Sequence, residues 1–152
     1  MTLDNIDKKI LCYLQENARI TNAQLSKEIG LSPAPTLERV KKLEAAGYID
    51  GYHAQVNKKK LHLGVCVFLQ ASLVATDKSK FESFKQKINN IPEVVECHHM
   101  TGASDFLIKV YTKDIETYNK FVLDKLISLE EIGNLQSMVV LDTYKDSKIL
   151  SI

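Results

Sequence analysis

The sequence has no long apolar stretch: its longest run, Val65–Leu69, is far below the roughly 20 residues that cross a bilayer. The opening residues Met1–Asn5 lead directly into an amphipathic segment, without the basic and apolar regions of a secretory leader. A cytoplasmic location is therefore expected. Cysteine is scarce, and Cys12, Cys66 and Cys97 stand in no CxxC spacing, so they read as reduced thiols acting as small apolar groups. The pair His98-His99 falls in an extended stretch, where adjacent imidazoles point to opposite faces and cannot share one ion. No metal or bound cofactor is expected. GxSxG, P-loop, HExxH and GxGxxG patterns are all missing, and carboxylates such as Asp105 and Asp142 have no partner at catalytic spacing. The chain does not read as an enzyme. Repeats, low-complexity tracts and Pro/Gly-rich linkers are also lacking.

What is present divides into two parts. The net charge is only +1, yet residues 1–60 hold ten Lys/Arg against seven Asp/Glu, and the remainder ten against twelve. The basic excess points to an anionic partner for the first third. Its apolar pattern is helical: Ile6, Ile10 and Leu14 recur at four-residue spacing, widened by Leu11 and Ala18. Thr21 with Gln24 forms a capping box that starts a second helix, which buries Leu25 and Ile29 and stops at Gly30. Ser32-Pro33 then starts a third, with Ser32 as N-cap and Leu37, Val40, Leu43 and Ala46 on its inner face, ending at Gly47. So short a connection, Gly30-Leu31-Ser32, is that of a helix-turn-helix.

Beyond Tyr48 the chain reads as extended, with a basic run at Lys58-Lys59-Lys60. A strand over 64–76, a helix over 77–90, strands over 93–101 and 105–112, a helix over 114–129 and a strand over 135–144 follow. The order β-α-β-β-α-β is ferredoxin-like, so the fold class is α+β. Phe81, Phe84, Ile88 and Ile91 line one helix; Ile115, Tyr118, Val122, Leu126 and Leu129 line the other. Both helices cover one sheet face, and the strands are apolar on both parities, so the open face is expected to drive self-association. The expected organisation is a helix-turn-helix domain over 1–50, an extended linker strand over 51–63 and an α+β domain over 64–152.

A helix that reads bases offers its first turns to a DNA groove. Ser32, Ala34 and Thr36 are small and allow close approach. Thr36 suits a base edge or thymine methyl, and Arg39 a guanine edge or a phosphate. Lys41 and Lys42 read either as phosphate contacts or as a solvated face, since Glu38 and Lys42 can pair.

Residues Asp4–Leu11, the run Leu31-Ser32-Pro33-Ala34-Pro35-Thr36-Leu37-Glu38-Arg39-Val40-Lys41-Lys42-Leu43-Glu44 and Gly47-Tyr48-Ile49 resemble the Lrp/AsnC family of transcription regulators. The resemblance implies dimers built through sheets and linker strands, assembly into octamers, and an amino-acid effector held between subunits at the turn after the second strand. Here that turn is Thr101-Gly102-Ala103-Ser104-Asp105, where many members carry an acidic and then an aromatic residue in place of Ala103 and Ser104. Gly102 and Ala103 amides suit an effector carboxylate, Asp105 its ammonium group and Ser104 either, with Ser137 and Met138 as partners across an interface. The alternative at this turn is purely structural: Gly102 permits a tight hairpin and Asp105 satisfies turn backbone. The expected function is sequence-specific, amino-acid-modulated DNA binding. An architectural DNA-organising protein without an effector is the second reading, disfavoured by the low net charge.

Overall fold

Asp4 begins the first helix by accepting the Ile6 and Asp7 amides, both at 2.8 Å. The Asp7 carboxylate in turn accepts the Asp4 amide at 3.1 Å. This capping box satisfies amides that a helix start leaves free, and α1 runs from Asn5 to Glu16. The expected second box is present: Thr21 accepts the Gln24 amide at 3.2 Å, and Gln24 accepts that of Thr21 at 3.1 Å. It opens α2, Asn22–Ile29. Gly30 closes α2 at φ +72°, a left-handed conformation that glycine adopts without a Cβ penalty. These coordinates come from a computed structural model that describes residues 2–74 and 77–152.

The third helix, α3 (Pro33–Ala45), starts at the expected N-cap Ser32 but departs from expectation in its rotation. Ser32 makes no side-chain capping bond. The third helical residue, whose amide an N-cap often receives, is Pro35, which has none. Thr36 occupies the inner face instead: it is fully buried, and its hydroxyl donates to the Ser32 carbonyl at 3.0 Å. Leu37, expected in the core, is 44% exposed. The inner stripe is thus Thr36, the half-buried Val40 and Leu43, packed with Ile10, Leu11, Leu25 and Ile29.

The linker forms no strand among the described residues; residues 51–57 are irregular, followed by a hydrogen-bonded turn. The second unit carries β1 (Val65–Leu73), α4 (Lys78–Asn89), β2 (Val94–His99), β3 (Phe106–Thr112), α5 (Ile115–Phe121) and β4 (Ile132–Val139). The expected extension of the first strand to Ala75 and Thr76 lies outside the described residues. The sheet is antiparallel in the order β2-β3-β1-β4, the ferredoxin-like arrangement.

One sheet face carries Val67, Leu69, Ala71, Phe106, Ile108 and Val110, all buried with Phe84 and Ile88 of α4 and Tyr118 of α5. Ile115, expected on the inner face of α5, is exposed, and Phe121 is buried instead. A wider turn over Val122–Leu126, with the Ile127 amide bonded to the Val122 carbonyl at 2.9 Å, adds a residue to the helical repeat. It places Leu126 inside with Phe121. The opposite face is more polar than expected. Phe68, Leu107, Tyr111 and Met138 share it with Gln70, Ser72, Lys109 and Glu96, and Lys109 donates to Glu96 at 3.0 Å.

Glu131, just before β4, is buried and ties this strand to α4. One carboxylate oxygen accepts from the Ser83 hydroxyl and from Lys87 Nζ, both at 2.6 Å. Its other oxygen is buried without a partner.

Contacts divide the chain into two units, Val56–Thr143 and Met1–Gln55 together with Tyr144–Ile152. The last residues, 144–152, which the sequence assigns to the second domain, group by contacts with the helix-turn-helix unit. Gln15 clasps them: its amide donates to the Leu150 carbonyl at 3.2 Å and its Oε1 accepts the Leu150 amide at 2.7 Å.

Candidate functional site

The rotation of α3 decides which residues it offers outward. Ala34, Leu37, Glu38 and Lys41 form an exposed row at helical spacing, with Lys42 and Ala45 beside it. At the head of that row Ser32 is exposed, with its hydroxyl unused in capping. Of the residues expected at a DNA interface, Ser32, Ala34, Lys41 and Lys42 are therefore accessible.

Thr36 is not. Its side chain is enclosed in the core and its hydroxyl occupied, so it reaches no base in this structure. Arg39 is accessible over about a third of its side chain but already engaged. Its Nη1 donates to Asp7 Oδ1 at 2.7 Å and to Asp4 Oδ2 at 2.8 Å. These bonds fasten α3 to the start of α1 and raise the guanidinium's pKa, through Asp7 first and Asp4 next. The Asp4 carboxyl is held below its ordinary range, chiefly by the Asp7 amide.

Asn22 is also committed, donating to the Pro33 carbonyl at 2.8 Å and so tying α2 to the start of α3. Leu37 is the exposed residue of this row that the sequence reading places inside. Its apolarity sent it inward, and only the pairing of Thr36 with a carbonyl four residues back reveals the other rotation.

In the second unit the loop Met100–Asp105 joins β2 to β3. Gly102 has φ +127°, which strains any residue with a Cβ, and nothing crowds it. Asp105 works within the fold. Its Oδ2 accepts the Leu73 amide at 2.8 Å, its own amide donates to the Ala71 carbonyl at 3.0 Å, and its carbonyl accepts the Met100 amide at 2.8 Å. The loop is thereby bound to the end of β1. Ala103 is exposed and Ser104 half-buried.

Ser137 and Met138 do not join these four on one surface. Ser137 lies opposite Leu69 and bonds the Tyr118 hydroxyl on the helix-covered face, whereas Met138 lies opposite Phe68 on the other. His98 and His99 also part. His98 sits 3.4 Å from Glu96, and His99 meets Phe81 edge-on and Phe106 at a tilt, with centroids 5.0 and 5.3 Å away. His99 and Phe106, which flank the loop, line a cleft of ≈ 390 Å³ with Phe81, Phe84, Ile88 and Cys97, and Glu82, Lys85 and Asn89 of α4 also border it. Burial pushes the Cys97 thiol's pKa up, so it is held as the unreactive thiol. Among the described residues no cluster of three or more His, Cys, Asp or Glu is placed to hold a metal ion, and no helix is long and apolar enough to cross a membrane.

Comparison with known proteins agrees with both halves. Residues 3–50 match the model of a winged helix-turn-helix DNA-binding domain, and residues 66–150 that of the Lrp/AsnC ligand binding domain. The leucine-responsive regulatory proteins of Klebsiella pneumoniae and Escherichia coli K12 are each 38% identical over 150 residues, covering 99% of this chain and 92% of theirs. A transcriptional regulator from Neisseria meningitidis, solved in complex with L-Met, superposes with a TM-score of 0.95 at 38% identity, covering 99% of this chain and 97% of that one. An AsnC family regulator from Agrobacterium tumefaciens gives 0.93 at 30% identity, covering 98% and 97%. With the matched models covering both units and these relatives nearly the whole chain, this protein belongs to the Lrp/AsnC family of transcription regulators.

Proposed function

We propose that this regulator reads a specific DNA sequence through Ser32, Ala34, Leu37, Glu38 and Lys41, with Lys42 on the adjoining phosphates. The carrying observation is the exposed row along α3 whose opposite side, Thr36, Val40 and Leu43, is held in the core. Small residues at the head of the helix admit the backbone of a duplex, and Leu37 offers an apolar contact suited to a thymine methyl. Arg39 sets the helix in place rather than reading a base.

The loop Gly102–Asp105 receives an amino acid, with free amides for its carboxylate and the second Asp105 oxygen for its ammonium group. The neighbouring cleft, with Phe81, Phe84, Ile88 and Phe106 in its lining, can take an apolar side chain such as methionine's, in keeping with the L-Met complex of the meningococcal relative. Ser137 and Met138, on opposite faces of the edge strand β4, reach this effector only from a second subunit. The protein acts as a dimer or a higher multiple, and its exposed Leu141 and Tyr144, 97% and 96% accessible in the single chain, support association.

Selection from a random duplex pool, followed by competition at fixed salt, tests the DNA reading. Enrichment of one motif is expected. Equal affinity for selected and random duplexes would overturn it in favour of DNA organisation without sequence preference. A thermal-shift screen of the twenty amino acids, with L-Met first, tests the effector, since a ligand of the native state raises its midpoint.

A further inference from the structure

We infer that Lys59 and Lys60, in the α+β unit, form a second contact with duplex phosphate, outside the helix-turn-helix. The inference rests on the DNA-binding role proposed above. Three lysines in sequence ordinarily make a mobile, solvated run, but here their backbone is tied. The Leu61 amide donates to the carbonyls of Asn57 and Lys58, that of His62 to Lys59 and that of Leu63 to Lys58, at 2.9–3.2 Å. Asn57 Oδ1 accepts the Lys60 amide at 3.0 Å, and His62 closes the turn at φ +56°, a left-handed conformation unusual outside glycine.

The three side chains then part company. Lys58 is half-buried, its Nζ lying 4.8 Å from the centre of the Tyr111 ring, which anchors the turn to β3. Lys59 and Lys60 are exposed and, among the described residues, have no acidic partner. The turn presents two cations outward on a fixed backbone, which lowers the ordering cost of meeting an anion.

Chain length limits where that anion lies. Ile49 packs against the core of the DNA-reading unit, and Lys59 is ten residues further on. Fully extended, that stretch spans at most about 36 Å. One duplex turn repeats at about 34 Å. However the linker is disposed, Lys59 stays within about 36 Å of Ile49, a reach on the scale of one duplex turn. Phosphates flanking the recognised site are polyanions on that same scale of distance.

The test compares full-length Lys59→Gln/Lys60→Gln with wild type on one duplex that extends at least a full turn beyond the selected site at each end. Affinity is measured across a series of salt concentrations. Each phosphate contact contributes about 0.9 to the slope of log affinity against log salt, so the variant should lose about 1.8 per chain bound, its affinity converging with wild type toward high salt. Lys78→Gln/Lys120→Gln removes the same charge from exposed positions on α4 and α5 and should leave the slope unchanged. An unaltered slope in the Lys59/Lys60 variant, or an equal loss in both variants, overturns the inference. Absence of DNA binding by wild type would overturn the underlying reading itself.

Discussion

Replacing Arg39 by alanine separates fastening a helix from reading a base. Arg39 Nη1 bridges two carboxylates, of which Asp4 is half-exposed and Asp7 only 4% exposed. Removing one partner of a fully buried pair costs about 3–5 kcal/mol, whereas exposed pairs contribute about 0–1 kcal/mol. The Arg39 side chain is 32% exposed, and Asp7 keeps its bond from the Asp4 amide, so water and that amide offset part of the loss. The expected cost is about 2 kcal/mol. In a unit of this size it lowers the melting temperature by about 8–16 °C.

Scanning calorimetry of the full chain, with DNA affinity measured well below the transition, gives both quantities. An Arg39→Ala/Asp7→Ala cycle should show coupling of about 1–2 kcal/mol. An unchanged melting temperature with more than a tenfold loss of specific affinity would refute the fastening role and return Arg39 to the bases.

Three further outcomes are expected. Glu131 has its pKa lowered from 4.5 to about 2, first by Lys87 and then by Ser83; the bonds that lower it contribute stability fully above pH 4.5 and lose it as pH falls toward 2, by at most about 3 kcal/mol given solvent around Lys87. Urea midpoints between pH 7 and 3 should fall less in Glu131→Gln than in wild type, and parallel declines would remove Glu131 as the cause. Asp105→Asn keeps an oxygen for the Leu73 amide and should hold stability within about 0.5 kcal/mol while abolishing the amino-acid response; a retained response would place the ammonium group elsewhere. Leu37→Ala should change stability by less than about 0.5 kcal/mol yet weaken specific binding, and an unaltered DNA motif and affinity would take Leu37 out of the interface.

Capping patterns and apolar periodicity make the order of elements legible in the sequence. Thr21 with Gln24, and Gly30 at the end of α2, behave as local chemistry dictates, because their partners lie within a few residues. Features that depend on distant partners were hidden. The Arg39 clamp closes over 32 residues, and the Glu131 network joins Ser83 and Lys87 to a strand 44 or more positions away. Polarity misled at Thr36, where one bond to Ser32 makes burial inexpensive, and at the opposite sheet face, where counting apolar residues overlooked Lys109 and Glu96. β4 began three residues earlier than expected. Gly133 there lies so close to Val74 that an added Cβ would stand 3.3 Å from its backbone, an approach no pattern of hydrophobicity announces.

Gln15 grips Leu150, so the body that carries the reading helix is assembled from both extremities of the polypeptide. Exchanging DNA specificity with a relative therefore means transplanting two separate pieces, residues 2–55 and 144–152. A graft cut once at the linker would pair a foreign head with a native tail, mismatched at that clasp.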